Sequence, residues 1–257
     1  MNELDILQNK LQFPLTAYVK ENGFLGLVSY NSYEDDLLIA TKSSLGGDFQ
    51  MWFKDMIYKK ISSENIEKLK SYVKDNNVTF LFECVDVEHD PHIIEYPESE
   101  LFLLDIVANN LEFSHVSYTT LTNLANRFGL KVKTLAYELS NWQEFYDWYQ
   151  MVNDSEYQYD GKYIEGFVVE DSANYMFKVK GSYYSFWKMM RGVAAEVFRK
   201  GYIDNTGKLY NAESNYFYDF LRKLYNETAP EDRENLPRDV ITLRRMYSSL
   251  GFMNNGN

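Results

Sequence analysis

The chain has 257 residues, room for one large domain or two modest ones, and its 45% apolar content can form a real core. A net charge of −12 argues against an overall field that attracts polyanions, and the single cysteine, Cys84, excludes an internal disulfide and fits a reducing cytoplasm. The charge is uneven: residues 186–257 balance at +2 and the other 185 residues at −14. Any contact with nucleic acid is therefore expected through a local basic surface, with the C-terminal part as candidate. The longest apolar runs, such as Leu101-Phe102-Leu103-Leu104, are too short to span a bilayer. The N-terminus has no basic region followed by an apolar run, so no signal peptide is expected.

In chain order, residues 2–11 predict a short amphipathic helix with Leu4, Leu7 and Leu11 on one side. Gln12 to Lys20 and Phe24 to Tyr30 predict two strands, with Asn22-Gly23 as a hairpin turn between them. A third strand runs from Leu37 to Lys42, followed by the turn Leu45-Gly46-Gly47-Asp48. Phe49 to Lys60 and Glu64 to Lys74 have helical spacing. Val78 to Val87 is almost continuously apolar, the pattern of a strand buried on both faces. The loop Glu88-His89-Asp90-Pro91-His92 follows, then Ile93-Ile94-Glu95-Tyr96 and a strand from Leu101 to Ala108.

Tyr118 to Phe128 predicts a helix ended by Gly129, Leu130 to Leu139 a strand, and Trp142 to Val152 a helix capped by Ser140 or Asn141. Lys162 to Glu170 and Tyr175 to Val179 are expected to pair through Asp171-Ser172-Ala173-Asn174. Beyond Phe186 strand alternation disappears. Trp187 to Lys200, Tyr216 to Tyr225 and Val240 to Leu250 read as helices, broken by Pro230 and Pro237. The expected division is 1–185, mixed α+β with antiparallel sheet, and 186–257, a small all-helical domain.

Five stretches recur in one order: Lys20-Glu21-Asn22-Gly23; Ala40-Thr41-Lys42-Ser43-Ser44; Phe80-Leu81-Phe82-Glu83-Cys84-Val85; Ile164-Glu165-Gly166-Phe167-Val168-Val169; and Phe177-Lys178-Val179-Lys180-Gly181. Each alone is weak, since a Lys-x-Asn-Gly is common and paired lysines often guard an edge strand. Together they resemble the lysine-dependent covalent nucleotidyltransferases, ATP-dependent ligases and capping enzymes, whose signature is K-x-[D/N]-G, a glutamate on an apolar strand, E-G-x-V and K-x-K. Phe82-Glu83-Cys84-Val85, Ile93-Ile94-Glu95-Tyr96 and Lys178-Val179-Lys180 followed by Tyr183-Tyr184 are similar to the T-even phage RNA ligase 1 type, over roughly residues 12–188. The resemblance implies an α+β, antiparallel-sheet nucleotidyltransferase fold of the ATP-grasp-like ligase kind, over 1–185, followed by the helical C-terminal domain.

It further implies an ATP-dependent RNA ligase that joins 5′-phosphate and 3′-hydroxyl RNA ends through a lysyl-AMP intermediate. Repair of broken tRNA would be a setting for it. Lys20 would be the nucleophile on the α-phosphate. A lysine is ordinarily protonated at neutral pH, with a pKa of about 10.4, so it needs neighbouring cations or burial to react. Val19, Lys42, Glu83, Glu165, Lys178 and Lys180 would bind ATP. Lys178 and Lys180, two apart on a strand, share a face from which they could bind the α-phosphate. Glu83 would take a ribose hydroxyl, and Lys42 a phosphate. Glu165 would orient the lysine or coordinate Mg²⁺, an ion that takes few protein carboxylates beside phosphate oxygens. Gly166 would allow close backbone approach. The RNA-contacting residues stay unassigned, with Tyr183, Tyr184 and Trp187 as stacking candidates. The expected partners are ATP and RNA ends, with no membrane, for a monomer in the cytoplasm, that of the host if phage-encoded.

Two features depart from the family pattern. Asn22 replaces the commoner aspartate, and only 19 residues, with Lys10 as their one basic residue, precede Lys20, where the family carries a longer segment with a basic residue for the triphosphate. The alternative is therefore an N-terminally shortened or split-gene ligase that binds nucleotide or RNA with weak or no self-adenylylation. DNA ligases and capping enzymes add a β-barrel after K-x-K, against the helical pattern here. His89-x2-His92 is weighed as a metal motif and set aside, since the three histidines offer no second cluster.

Overall fold

The computed structural model describes residues 3–250; Asn2, where the first helix was expected to begin, and residues 251–257 of the expected helical tail lie outside them. The chain divides into two compact units. The first comprises Met1–Asp90, Tyr96–Phe145 and Phe167–Lys178; the second comprises Pro91–Glu95, Tyr146–Gly166 and Val179–Asn257.

The first unit opens with α1 (Glu3–Lys10) and is built on two sheets. Its strands are β1 (Leu15–Lys20), β2 (Phe24–Asn31), β3 (Asp36–Thr41), β4 (Val78–Val85), β5 (Glu100–Ala108), β6 (Lys131–Val132), β7 (Leu135–Leu139), β8 (Gly166–Glu170) from Phe167 on and β9 (Met176–Lys180) as far as Lys178. One sheet has the order β7-β1-β8-β9 and the other β3-β2-β4-β5-β6. The second is antiparallel except at its edge, where β6 joins β5 in parallel.

Helices α2 (Asp48–Lys60), α3 (Ser63–Asn76) and α4 (Tyr118–Phe128) pack their apolar stripes on the five-stranded sheet. Ser62 and Ser117 cap α3 and α4 by accepting backbone N–H bonds, and Gly129 closes α4 at φ 69°. Phe53, Phe80, Phe82 and Phe128 are fully buried in this core with Leu69 and Ile57. Each such side chain contributes about 1.5–3 kcal/mol by leaving water. The C-terminal half of β4 is buried on both faces, as its apolar run predicts.

Two expected elements are corrected. Asn22-Gly23 does not join a hairpin: β1 pairs with β7 and neighbours β8, whereas β2 pairs with β3 and β4 in the other sheet. Neither Asn22 nor Gly23 has the positive φ that a two-residue hairpin turn needs. The strand expected over Leu130–Leu139 is split in the same way. The Lys133 N–H donates to the Leu103 carbonyl in one sheet, and the Thr134 carbonyl accepts from the Val19 N–H in the other. His115 also reaches elements of both sheets, with Nδ1 2.9 Å from the Asp105 carboxylate on β5 and Nε2 3.4 Å from that of Glu170 on β8.

The second unit is mainly helical. Helix α5 (Trp142–Val152), whose first turn Asn141 caps through the Gln143 and Glu144 N–H groups, carries the chain into it. The segment expected to begin a strand at Lys162 is instead a tight turn, Tyr159 bridging Lys162, with Asp160 and Gly161 at φ 49° and 69°; the strand β8 starts at Gly166. Helices α6 (Ser182–Lys200), α7 (Ala212–Glu227) and α8 (Val240–Ser249) pack around Trp187, Phe217, Phe220 and Tyr247, with the Trp187 and Phe217 rings 5.2 Å apart. Arg244 is 7% exposed; it donates to the Ile93 carbonyl at 3.1 Å and to Glu95 at 2.7 Å. No described helix is long and apolar enough to cross a membrane.

A Cβ at Gly26 on β2 would lie 2.5 Å from the ring of the fully buried Phe53. Gly26→Ala is expected to lower stability by about 1–3 kcal/mol through overpacking, read as a lower urea midpoint with an unchanged m-value.

Candidate functional site

Lys20 is the last residue of β1, with its side chain 16% exposed. Its Nζ donates to the Glu21 carbonyl at 3.3 Å and lies 4.0 Å from Glu83 Oε1. Glu83 is on β4 and only 9% exposed. A carboxylate in that setting must be compensated, and the Gly23 N–H donates to its Oε1 at 2.9 Å. The loop between the sheets thus binds back onto the strand that carries Glu83. It does so at close range, since a Cβ on Gly23 would come within 2.0 Å of the Cys84 carbonyl oxygen. Only glycine fits there.

Tyr96 completes the hold on this loop and was not assigned a role from sequence. Its hydroxyl accepts the Asn22 N–H at 2.8 Å and donates to the Glu21 carboxylate at 2.9 Å. Burial, reinforced by Glu21, pushes the hydroxyl well above the ordinary tyrosine range, so it stays a neutral donor. The one sequence signal was Tyr96 ending the Ile93-Ile94-Glu95-Tyr96 stretch.

Val19 is buried with its N–H on the Thr134 carbonyl. Lys42 is exposed just after β3, and Lys178 is exposed on β9; among the described residues neither forms an ion pair. In the second unit Glu165 is 3% exposed and pairs with Lys180 at 3.1 Å. The Glu165 carbonyl also accepts the Gly181 N–H at 3.0 Å. Gly166, at φ 143°, lies where a Cβ would meet the Val179 carbonyl oxygen at 2.1 Å, which is the close approach expected of it. Lys180 Nζ sits 4.9 Å from the Tyr184 ring centroid.

The residues thus fall into two groups: Lys20 with Glu83 and the loop 21–23, and Glu165 with Lys180. Among the stacking candidates, Trp187 and Tyr184 are buried, and Tyr183 stacks on Tyr163 at 3.7 Å. These faces are used in packing, as aromatic side chains of a core usually are. His89 is held by Asp86 at 2.8 Å and stacks on Trp52 at 4.8 Å. Among the described residues no group of three or more His, Cys, Asp and Glu side chains is arranged as a metal cage.

Residues 1–184 match the T4 RNA ligase 1 family model, described as RNA ligase. A tRNA ligase of Candida albicans is 25% identical over 202 residues, 72% of this chain and 24% of that protein. A lysine-to-alanine variant of Naegleria gruberi RNA ligase, solved with ATP and Mn, has a TM-score of 0.56 at 14% identity over 71% of this chain and 54% of that one. An archaeal ATP-dependent RNA ligase gives 0.54 at 12% identity over 95% of this chain and 59% of that one. These two structures share the fold. The chain spans about a quarter of the tRNA ligase and little more than half of each structure.

Tyr96→Phe keeps the ring and removes both hydroxyl bonds. Leaving the Asn22 N–H without its partner is expected to cost about 1–3 kcal/mol and to speed hydrogen exchange at Asn22, with exchange in α3 unchanged.

Proposed function

We propose that this chain, which belongs to the RNA ligase family of the T4 RNA ligase 1 type, joins RNA 5′-phosphate and 3′-hydroxyl ends through a lysyl-AMP intermediate. The observation that carries this reading is Lys20 at the end of β1, 4.0 Å from Glu83, on a loop held by Gly23 and Tyr96. The Lys20 amine attacks the α-phosphorus of ATP; a P–N bond forms, the α–β P–O bond breaks, and pyrophosphate leaves. An RNA 5′-phosphate oxygen then attacks the same phosphorus, and the lysine departs. The 3′-hydroxyl of a second end attacks the activated 5′-phosphate and displaces AMP.

Residues 1–185 carry the nucleotidyl transfer, and 186–257 form an added helical domain. Val19 packs at the adenylate end, and Glu83 takes a ribose hydroxyl. Lys42, Lys178 and Lys180 hold phosphate oxygens and balance the charge that grows on them. The loop-held geometry matters because a displaced nucleophile loses the in-line approach. Glu165 is a buried carboxylate already balanced by one cation, and it suits an Mg²⁺ ion that takes few protein ligands beside the triphosphate. Bound there, Mg²⁺ would supply charge neutralisation at the leaving phosphate. The likeness to a tRNA ligase supports tRNA ends as the substrate.

Incubation with α-labelled ATP and Mg²⁺, followed by a denaturing gel, tests the covalent step. The expected result is a labelled 30.3 kDa band that is absent from Lys20→Ala. Glu83→Gln is expected to retain folding and lose about 10²-fold in labelling rate. No label, with sealing of pre-adenylylated RNA retained, would limit the chain to the sealing step and remove self-adenylylation from the reading. Loss of both would overturn the ligase reading.

A further inference from the structure

We propose that the outer face of α6 docks the sugar–phosphate backbone of the RNA being sealed. This rests on the RNA-ligase reading and names the surface that reading lacks, since Tyr183, Tyr184 and Trp187 are occupied in packing. The exposed residues of the helix are Ser185, Lys188, Gly192, Ala195 and Arg199, spaced 3-4-3-4, one continuous stripe of an α-helix. Arg191 flanks the stripe at half-exposure. Among the described residues Lys188, Arg191 and Arg199 form no ion pair.

Two features separate this face from an ordinary solvated helix. None of the exposed residues of its stripe is a carboxylate. The helix's one carboxylate, Glu196, flanks the stripe on the side opposite Arg191 and is already engaged: it accepts the Asp204 N–H at 3.0 Å and meets Lys208 at 3.0 Å and Lys200 at 3.7 Å, with its side chain only 13% exposed. The residues between the cations are also small, and a Cβ at Gly192 would meet nothing within 4 Å. A phosphate chain can therefore lie against the helix surface without displacing side chains.

Lys188 and Arg199 are eleven residues apart, about 16 Å along a helix, the span of a few nucleotides. The charge complementarity is local: a chain of net charge −12 presents Lys188 and Arg199 on the stripe and Arg191 beside it, none in an ion pair among the described residues, with Lys188 6.0 Å from the Tyr184 ring centroid. Contacts of this kind fix position without reading sequence, so the face sets affinity and salt dependence for any RNA end.

The test is binding of a 5′-phosphorylated single-stranded RNA by fluorescence anisotropy across a KCl series, on the full chain. The triple variant Lys188→Ala, Arg191→Ala, Arg199→Ala is expected to bind at least tenfold more weakly. It should lose about 2 from the slope of log K against log salt, about 0.7 for each single-strand phosphate contact removed. Self-adenylylation, which needs no RNA, should be unchanged. Gly192→Glu is the second variant. It improves helix propensity, so it should fold at least as well, and it sets a carboxylate in the face, so it should weaken RNA binding.

The control, Lys68→Ala, Lys70→Ala, Lys74→Ala on α3, removes the same charge elsewhere and should leave the slope unchanged. An unchanged slope in the α6 variants, or an equal loss in the control, would overturn the proposal and leave the face to solvent or a protein partner. Failure of the ligase reading is seen separately, as a wild-type chain that neither labels with ATP nor seals RNA.

Discussion

The path of the loop after Lys20 depends on one hydrogen bond, from the Gly23 N–H to the Glu83 carboxylate. Glu83 lies on an inner strand of the five-stranded sheet, where an uncompensated carboxylate would be costly. Bonds of a backbone N–H to a charged acceptor contribute about 1.5–3 kcal/mol, and this one also ties the loop that leaves β1 to the strand beneath it. That tie requires glycine, because the Cys84 carbonyl occupies the space of a Cβ. Lys20 is three residues back, at the end of β1, and the Asn22 and Gly23 amides that follow it are both committed, so its position follows from the path of the backbone.

Tyr96 extends the same principle. A buried, neutral hydroxyl accepts one loop amide and donates to the carboxylate of the neighbouring Glu21. The loop is thus held by a charged acceptor on one residue and a neutral one on the next. In the second unit each of two buried charges is met by an ion pair: Glu165 by Lys180, and Arg244 by Glu95, which the exposed Arg245 also meets. In Glu95, burial raises the carboxyl's pKa, but the two arginines outweigh it and hold the carboxyl below its ordinary value. Its contribution to stability is therefore present above the unfolded carboxyl's pKa and fades as pH falls through the lowered one.

Much of the architecture was legible because periodicity is a local property. Helix α5 runs over the expected residues, α4 ends at the glycine that the pattern named, and the apolar run of β4 lies at the centre of a sheet. The family was legible because five short stretches occur in order, and the family match covers residues 1–184. What misled was turn chemistry. Asn-Gly between two strands ordinarily means a hairpin, but here its amides are taken by side chains from far along the chain. Leu130–Leu139 misled for the same reason, as one extended segment serves two sheets.

The sequence alone determined the order of the elements, the change from sheet to helix, and the residue types that could carry phosphoryl chemistry. All of these depend on neighbours within a few positions. Only the tertiary structure decided which strands share a sheet, why position 23 must be glycine, that Tyr96 holds the Lys20 loop, and which aromatics are spent in packing. Those outcomes depend on groups well separated along the chain, such as Gly23 with Glu83, 60 residues apart, and Glu21 with Tyr96, 75 apart, brought together by burial. No local pattern encodes a contact of that range.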